Sequence, residues 1–276
     1  MMPGLQKFRA HGPCPSILRL PSPSSPSAVF RDPFDIDNYA QDPDHYLAVP
    51  FVPTEEDTVS AMLALAGVGP KDRLYDLGCG DGRIVIAAAR DRDARGVGVD
   101  VDPLRIADAM EYAGWAGVEH MVDFVEEDLF SVDVREATVV SLYLLQSINV
   151  ELRPRLLSQL KPGARIISHA FDMGDWAADE RVRVADGYIY KWTVPAPVAG
   201  RWDWTRADGT TCRLELEQTY QQVTGRAWLG DDEVSLIAAD LTGERLEVEL
   251  QAGDEAPIQR FTLTFADGAL RSVVEG

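Results

Sequence analysis

The chain has 276 residues, 46% of them apolar, and a formal net charge of −19. That length accommodates one large domain, or one medium domain with a smaller one. The acidic balance argues against a nucleic-acid substrate, because such a surface repels phosphate backbones, and no apolar run approaches the roughly 20 residues of a membrane span.

Residues 1–31 stand apart. They carry Lys7, Arg9, Arg19 and Arg31, no acid, and the run PSPSSPS. This composition cannot build a core, so the segment is expected to be disordered, with a transit-type targeting segment as the alternative. A secretory signal would need about 7–15 consecutive apolar residues. Cys14, Cys79 and Cys212 are odd in number and far apart, and His11, His45, His120 and His169 lack metal-ligand spacing. Neither a disulfide framework nor a metal site is expected, and the thiols suit a reducing, cytoplasmic location.

From Phe51 to Phe171, strands and helices alternate. Thr54-Glu55-Glu56-Asp57 looks like a capping box, followed by Val59, Met62, Leu63, Leu65 and Ala66 at helical spacing. RLYDLG reads as a buried strand, RIVIAAAR as a helix and ARGVGVDV as a second strand. A helix is expected from Pro103 to Gly117, then strands at VDFVEED and ATVVSLYLL. RPRLLSQLKPG predicts a helix with Pro154 near its first turn, stopped by Pro162-Gly163, and ARIISHAF a fifth strand. The alternation predicts an α/β, Rossmann-like domain over residues 32–185 with a central, mainly parallel sheet. Beyond it, Pro195 and Pro197 mark a linker. The runs CRLELEQTY, RLEVEL and RFTLTF, separated by turn signals, predict a β-rich domain over 186–276, an antiparallel meander or small barrel. Trp202 and Trp204 open it, placed either to fill its core or to hold a ligand at its mouth.

The chemistry concentrates at LYDLGCGDGR, residues 74–83. Ligands of open parallel sheets bind at the carboxyl ends of the strands, where Gly78, Gly80 and Gly82 let the backbone approach closely. The spacing is G-x-G-x-G with Arg83 next. It is therefore neither the G-x-G-x-x-G of a dinucleotide site nor a P-loop, which needs a lysine after its glycines. Asp100 ends the second strand, where a carboxylate can accept both hydroxyls of a ribose. Asp128, in EEDLF, can accept from the exocyclic amine of adenine. Asp76 is placed to order the turn or to meet an ammonium. A ligand with ribose, adenine and an amino-acid tail, and no phosphate, fits this set.

The order DLGCGDG, VDVDP, EEDLF is similar to that of class I S-adenosylmethionine (SAM)-dependent methyltransferases, over residues 73–171. More narrowly, VPFVPTEEDTVSAMLALA, DLGCGDGRIVIAAA and LKPGARIISHAFDMGDW resemble the lysine methyltransferases of the ATP synthase c subunit and the adenine nucleotide translocase, with their bacterial relatives. That resemblance implies SAM as cofactor and a protein lysine as acceptor. It makes Val49, Pro50, Phe51, Val52, Pro53 and Thr54 candidates for a lid on the cofactor, over Asp76, Gly78, Cys79, Gly80, Asp81, Asp100, Val101, Asp128 and Leu129. The β-rich tail departs from the family, as does the lack of an identifiable membrane-directing segment. Tyr143, after the fourth strand, is the candidate catalytic residue, with Asn149 and Gln146 as further pocket candidates. His169 and Phe171 serve either the pocket or the core. A small-molecule acceptor and a non-catalytic SAM-binding sensor or scaffold are the alternative functions.

Overall fold

The computed structural model describes residues 51–185 and 187–276. The segment 1–31, expected to be disordered, and the lid candidates Val49 and Pro50 lie outside the described residues. In chain order the first half contains α1 (Glu56–Leu65), β1 (Arg73–Leu77), α2 (Arg83–Arg92), β2 (Arg95–Asp100), α3 (Pro103–Ala116), β3 (Val122–Glu126), β4 (Val139–Leu142), α4 (Gln146–Gln159), β5 (Arg165–His169), β6 (Glu180–Val184) and β7 (Gly187–Thr193).

These strands form one sheet in the order β3-β2-β1-β4-β5-β7-β6. Strands β1 to β5 are parallel, and β7 joins β5 antiparallel. Successive strand residues point to opposite faces, and here both faces are covered. Leu74, Val139 and Ile167 pack with Val59, Met62 and Leu63 of α1 and with Val85 and Ala88 of α2. Tyr75, Leu77, Val140, Leu142 and Ile166 pack with Leu152 and Leu156 of α4. Burial on both sides explains why these strands read as continuous apolar runs. Chain order reverses direction between β1 and β4, which opens a crevice at their carboxyl ends.

Three expectations shift. Helix α4 begins at Gln146, so Pro154 sits in its interior. The turns before the proline are held by tertiary bonds: Gln146 to Asp172, Asn149 to the carbonyl of Phe171, and Arg153 to the carbonyl of Met173 and to Asp175. The N-cap of α1 is Glu55, with no side-chain capping bond, and Thr54 is buried instead. Strand β7 extends the first sheet past the boundary drawn at residue 185. Its Ile189 and Trp192 are buried, and its backbone pairs along β5 from Arg165 to His169.

The second half is a meander: β8 (Gly200–Thr205), β9 (Thr211–Thr219), β10 (Gln222–Leu229), β11 (Asp232–Thr242), β12 (Arg245–Gln251), β13 (Gln259–Ala266) and β14 (Ala269–Glu275), paired in sequence order. The sheet curls on itself. Trp202 packs edge-on against Phe265 at 4.9 Å and Trp204 against Phe261 at 5.4 Å. Arg206, just past β8, pairs with Glu275 on β14 at 3.0 Å. The two tryptophans thus fill the inner face. The β9–β10 turn meets the loop after β5: Tyr220 stacks on Trp176 at 5.6 Å, and the Trp176 indole donates to Gln221 at 2.9 Å.

Candidate functional site

At the carboxyl ends of β1, β2 and β4 lies a cavity of about 320 Å³. Its floor is the glycine turn. The amides of Gly78 and Cys79 donate to the Val99 carbonyl at 2.8 and 2.9 Å, tying the turn to β2. Gly82 has φ +75, and a Cβ there would fall 2.6 Å from the Phe124 ring. Both the left-handed backbone and the close packing require glycine.

Phe51, Val52, Pro53, Thr54, Asp76, Gly78, Cys79, Asp81, Asp100, Val101, Asp128, Leu129 and Tyr143 all line the cavity. Gly80 instead supports two of them. Its amide donates to Asp100 at 2.8 Å, and its bare α-carbon seats the Phe51 ring, 2.2 Å from where a Cβ would stand. The other oxygen of Asp100 accepts from the Asp102 amide at 3.0 Å. A carboxylate has about four lone-pair sites, so each oxygen keeps acceptor capacity for a ligand. Asp128 uses one oxygen to accept from the Phe130 amide at 2.9 Å.

Asp76 is buried and accepts one bond, from the Ser141 hydroxyl at 2.7 Å. Desolvation pushes its pKa up to about 7, with Asp100 and Asp81 adding to the rise and the Ser141 bond opposing it. A buried carboxyl near neutrality is suited to receive a cation, whose arrival would restore its charge. Burial pushes the Cys79 thiol far up, so it is no nucleophile at neutral pH.

Reasoning from sequence missed other lining residues. Arg83, Ile84, Asp102, Arg105, Glu127, Phe130, Leu144 and Ile148 also face the cavity. In the sequence Arg83 serves only to break the dinucleotide fingerprint, although its place one residue past the last glycine puts it at the rim. Asn149 and Gln146 do not line the cavity, because their amides turn to Ser168, Phe171 and Asp172. His169 is buried against the Tyr143 ring, with centroids 4.3 Å apart.

The sheet order and a carboxylate-ringed glycine turn define a class I SAM-dependent methyltransferase. The profile of the ANTKMT methyltransferase domain matches residues 76–180. A protein-lysine N-methyltransferase of Saccharolobus islandicus is 44% identical over 140 residues, 50% of this chain and 87% of that protein. The chain belongs to this family of methyltransferases. The adenine nucleotide translocase lysine N-methyltransferase of Mus musculus is 33% identical over 130 residues, 47% of this chain and 56% of the mouse protein. Among solved structures, an RNA methyltransferase from Salinibacter ruber bound to S-adenosyl-L-homocysteine is similar. It is 52% identical with a TM-score of 0.53, over 53% of this chain and 96% of that one.

Proposed function

We propose that this protein transfers a methyl group from SAM to the ε-amine of a lysine in a partner protein. The observation that carries the reading is a cavity with two kinds of lining. Asp76, Asp100 and Asp128 supply acceptors, whereas Leu129, Phe130, Leu144 and Ile148, which line the same cavity as Tyr143, are apolar. SAM suits the carboxylates: Asp100 would hold the ribose, Asp128 the adenine amine and Asp76 the ammonium, with Phe51, Val52, Pro53 and Thr54 over the top.

SAM, when bound, supplies a methyl group already activated on a sulfonium, so the protein's task is alignment and exclusion of water. A lysine amine must first lose a proton that it ordinarily holds to a pKa of about 10.4. The apolar lining disfavours the ammonium and lowers that value. The Tyr143 hydroxyl would orient the neutral amine, and no strong general base is needed. The S. islandicus and mouse relatives, both named as lysine methyltransferases, support the acceptor.

A second reading, methyl transfer to RNA, is favoured by the name of the S. ruber protein, while the net charge of −19 weighs against it. The free, buried Cys79 and Cys212 support a reducing compartment, the cytoplasm. We assign residues 51–193 to the methyltransferase domain, and residues 200–276 to an appended β domain that supports the loop after β5. The test is incubation of the purified protein with cell lysate and tritiated-methyl SAM. Label released by protease and resistant to ribonuclease supports the protein acceptor. The reverse pattern supports RNA, and label only in small molecules overturns both.

A further inference from the structure

The segment Phe51–Thr54 crosses the cavity without helix or strand structure, and Val52 is half exposed. Two arginines and the seat at Gly80 hold it in place. Arg83 donates from Nη1 to the Thr54 carbonyl at 2.8 Å. Its remaining face forks onto Asp81, with Nε to Oδ1 at 2.9 Å and Nη2 to Oδ2 at 2.6 Å. Arg105 lies over the Phe51 ring at 5.1 Å and is itself held by Asp108 at 3.1 Å. Phe51 rests on Gly80.

The guanidinium of Arg83 therefore bridges the strap to the glycine turn. The fork onto Asp81 fixes its plane, and the third arm is aimed at a backbone carbonyl. Because that carbonyl belongs to the strap's backbone, the bond restrains the strap whatever its side chains do. We propose that Arg83 is the latch of the cofactor strap, a positioning residue that sets how long SAM and its demethylated product stay bound. This rests on the assignment of the cavity to SAM. A charge-assisted bond of this kind is worth about tenfold or more in an equilibrium, and because the latch must break for the ligand to leave, the effect falls on dissociation. Lysine at this position has no fork, so it can hold Asp81 or Thr54 but not both in one fixed geometry.

The test is a chase of tritiated SAM, bound to the full chain, with unlabelled SAM, combined with hydrogen exchange. Arg83→Gln is expected to speed release about tenfold, and Arg83→Lys to fall between it and the wild type. Amides of residues 55–59 should exchange faster in Arg83→Gln, while those of β9 and β10 keep wild-type rates. Wild-type release rates in both variants would overturn the latch. So would faster release accompanied by faster exchange throughout both sheets, which marks general destabilisation. Failure of the wild-type protein to bind SAM would instead overturn the cofactor assignment beneath it.

Discussion

Asp76→Asn should make the ligand-free protein more stable above neutral pH, although it removes a buried side chain's charge from the heart of the site. The folded carboxyl holds its proton to about pH 7, against an ordinary 3.8. Between those values the folded chain keeps a proton that the unfolded chain has released, so stability falls as pH rises from about 4 through about 7. The gap corresponds to about 4 kcal/mol, an upper bound because water entering the cavity solvates the carboxylate. Asparagine cannot ionise, and its amide oxygen still accepts from Ser141. Urea denaturation at pH 5 and pH 8 measures the effect, since titration of groups that do not couple to Asp76 cancels in the difference between the two proteins, leaving Asp76 with its neighbours Asp100 and Asp81. That difference should favour the variant increasingly toward pH 8. SAM binding should reverse the logic: an ammonium beside Asp76 favours its charged form, so wild-type binding near pH 6.5 should release a proton, seen by calorimetry in buffers of different ionisation enthalpy. A stability difference independent of pH would refute the argument that burial holds the proton on Asp76.

Other substitutions test the geometry around it. Asp100→Ala removes the acceptor of the Gly80 and Asp102 amides as well as the proposed ribose partner, and calorimetry should show SAM affinity reduced at least a hundredfold. Gly80→Ala places a methyl group where the Phe51 ring sits, at φ +52. SAM affinity should drop about tenfold or more while the unfolding free energy from urea denaturation falls by about 1 kcal/mol, the strain of one left-handed residue. Tyr143→Phe should lower the turnover rate about tenfold with SAM affinity unchanged, because only the hydroxyl that orients the acceptor is lost. A parallel loss of SAM affinity would place Tyr143 with the cofactor instead.

Much of this architecture was legible in the sequence because local chemistry and tertiary role agree. The run LYDLGCGDGR must be strand and turn whatever surrounds it. Asp100 and Asp128 follow apolar strands at positions that a parallel sheet brings to one edge. Helix α4 was misjudged because proline is a reliable local signal for a helix start, and the bonds from Asn149 and Arg153 that keep the helix intact before Pro154 reach residues about twenty positions away. A boundary at residue 185 places β7 with the β domain, because nothing local in GYIYKWT marks which sheet it joins. Its pairing with β5 is a long-range choice, made by burial of Ile189 and Trp192. The roles of Arg83 and Arg105 are hidden in the sequence for a related reason. An arginine after a glycine turn or on a helix face reads as a solvated charge, and only the folded chain shows Thr54 and Phe51 beneath them. The filling of the β domain's inner face by Trp202 and Trp204 could be framed from sequence as one of two choices, and their edge-on packing against Phe265 and Phe261 selects it.

The most direct test of the account is mass spectrometry of a lysate incubated with the purified protein and deuterated-methyl SAM, compared with the same lysate treated with the Asp100→Ala variant. The account predicts deuterated methyl on lysine of a discrete protein, present with the wild type and absent with the variant. Label on RNA or a small molecule would contradict the acceptor, and undiminished label with the variant would contradict the site.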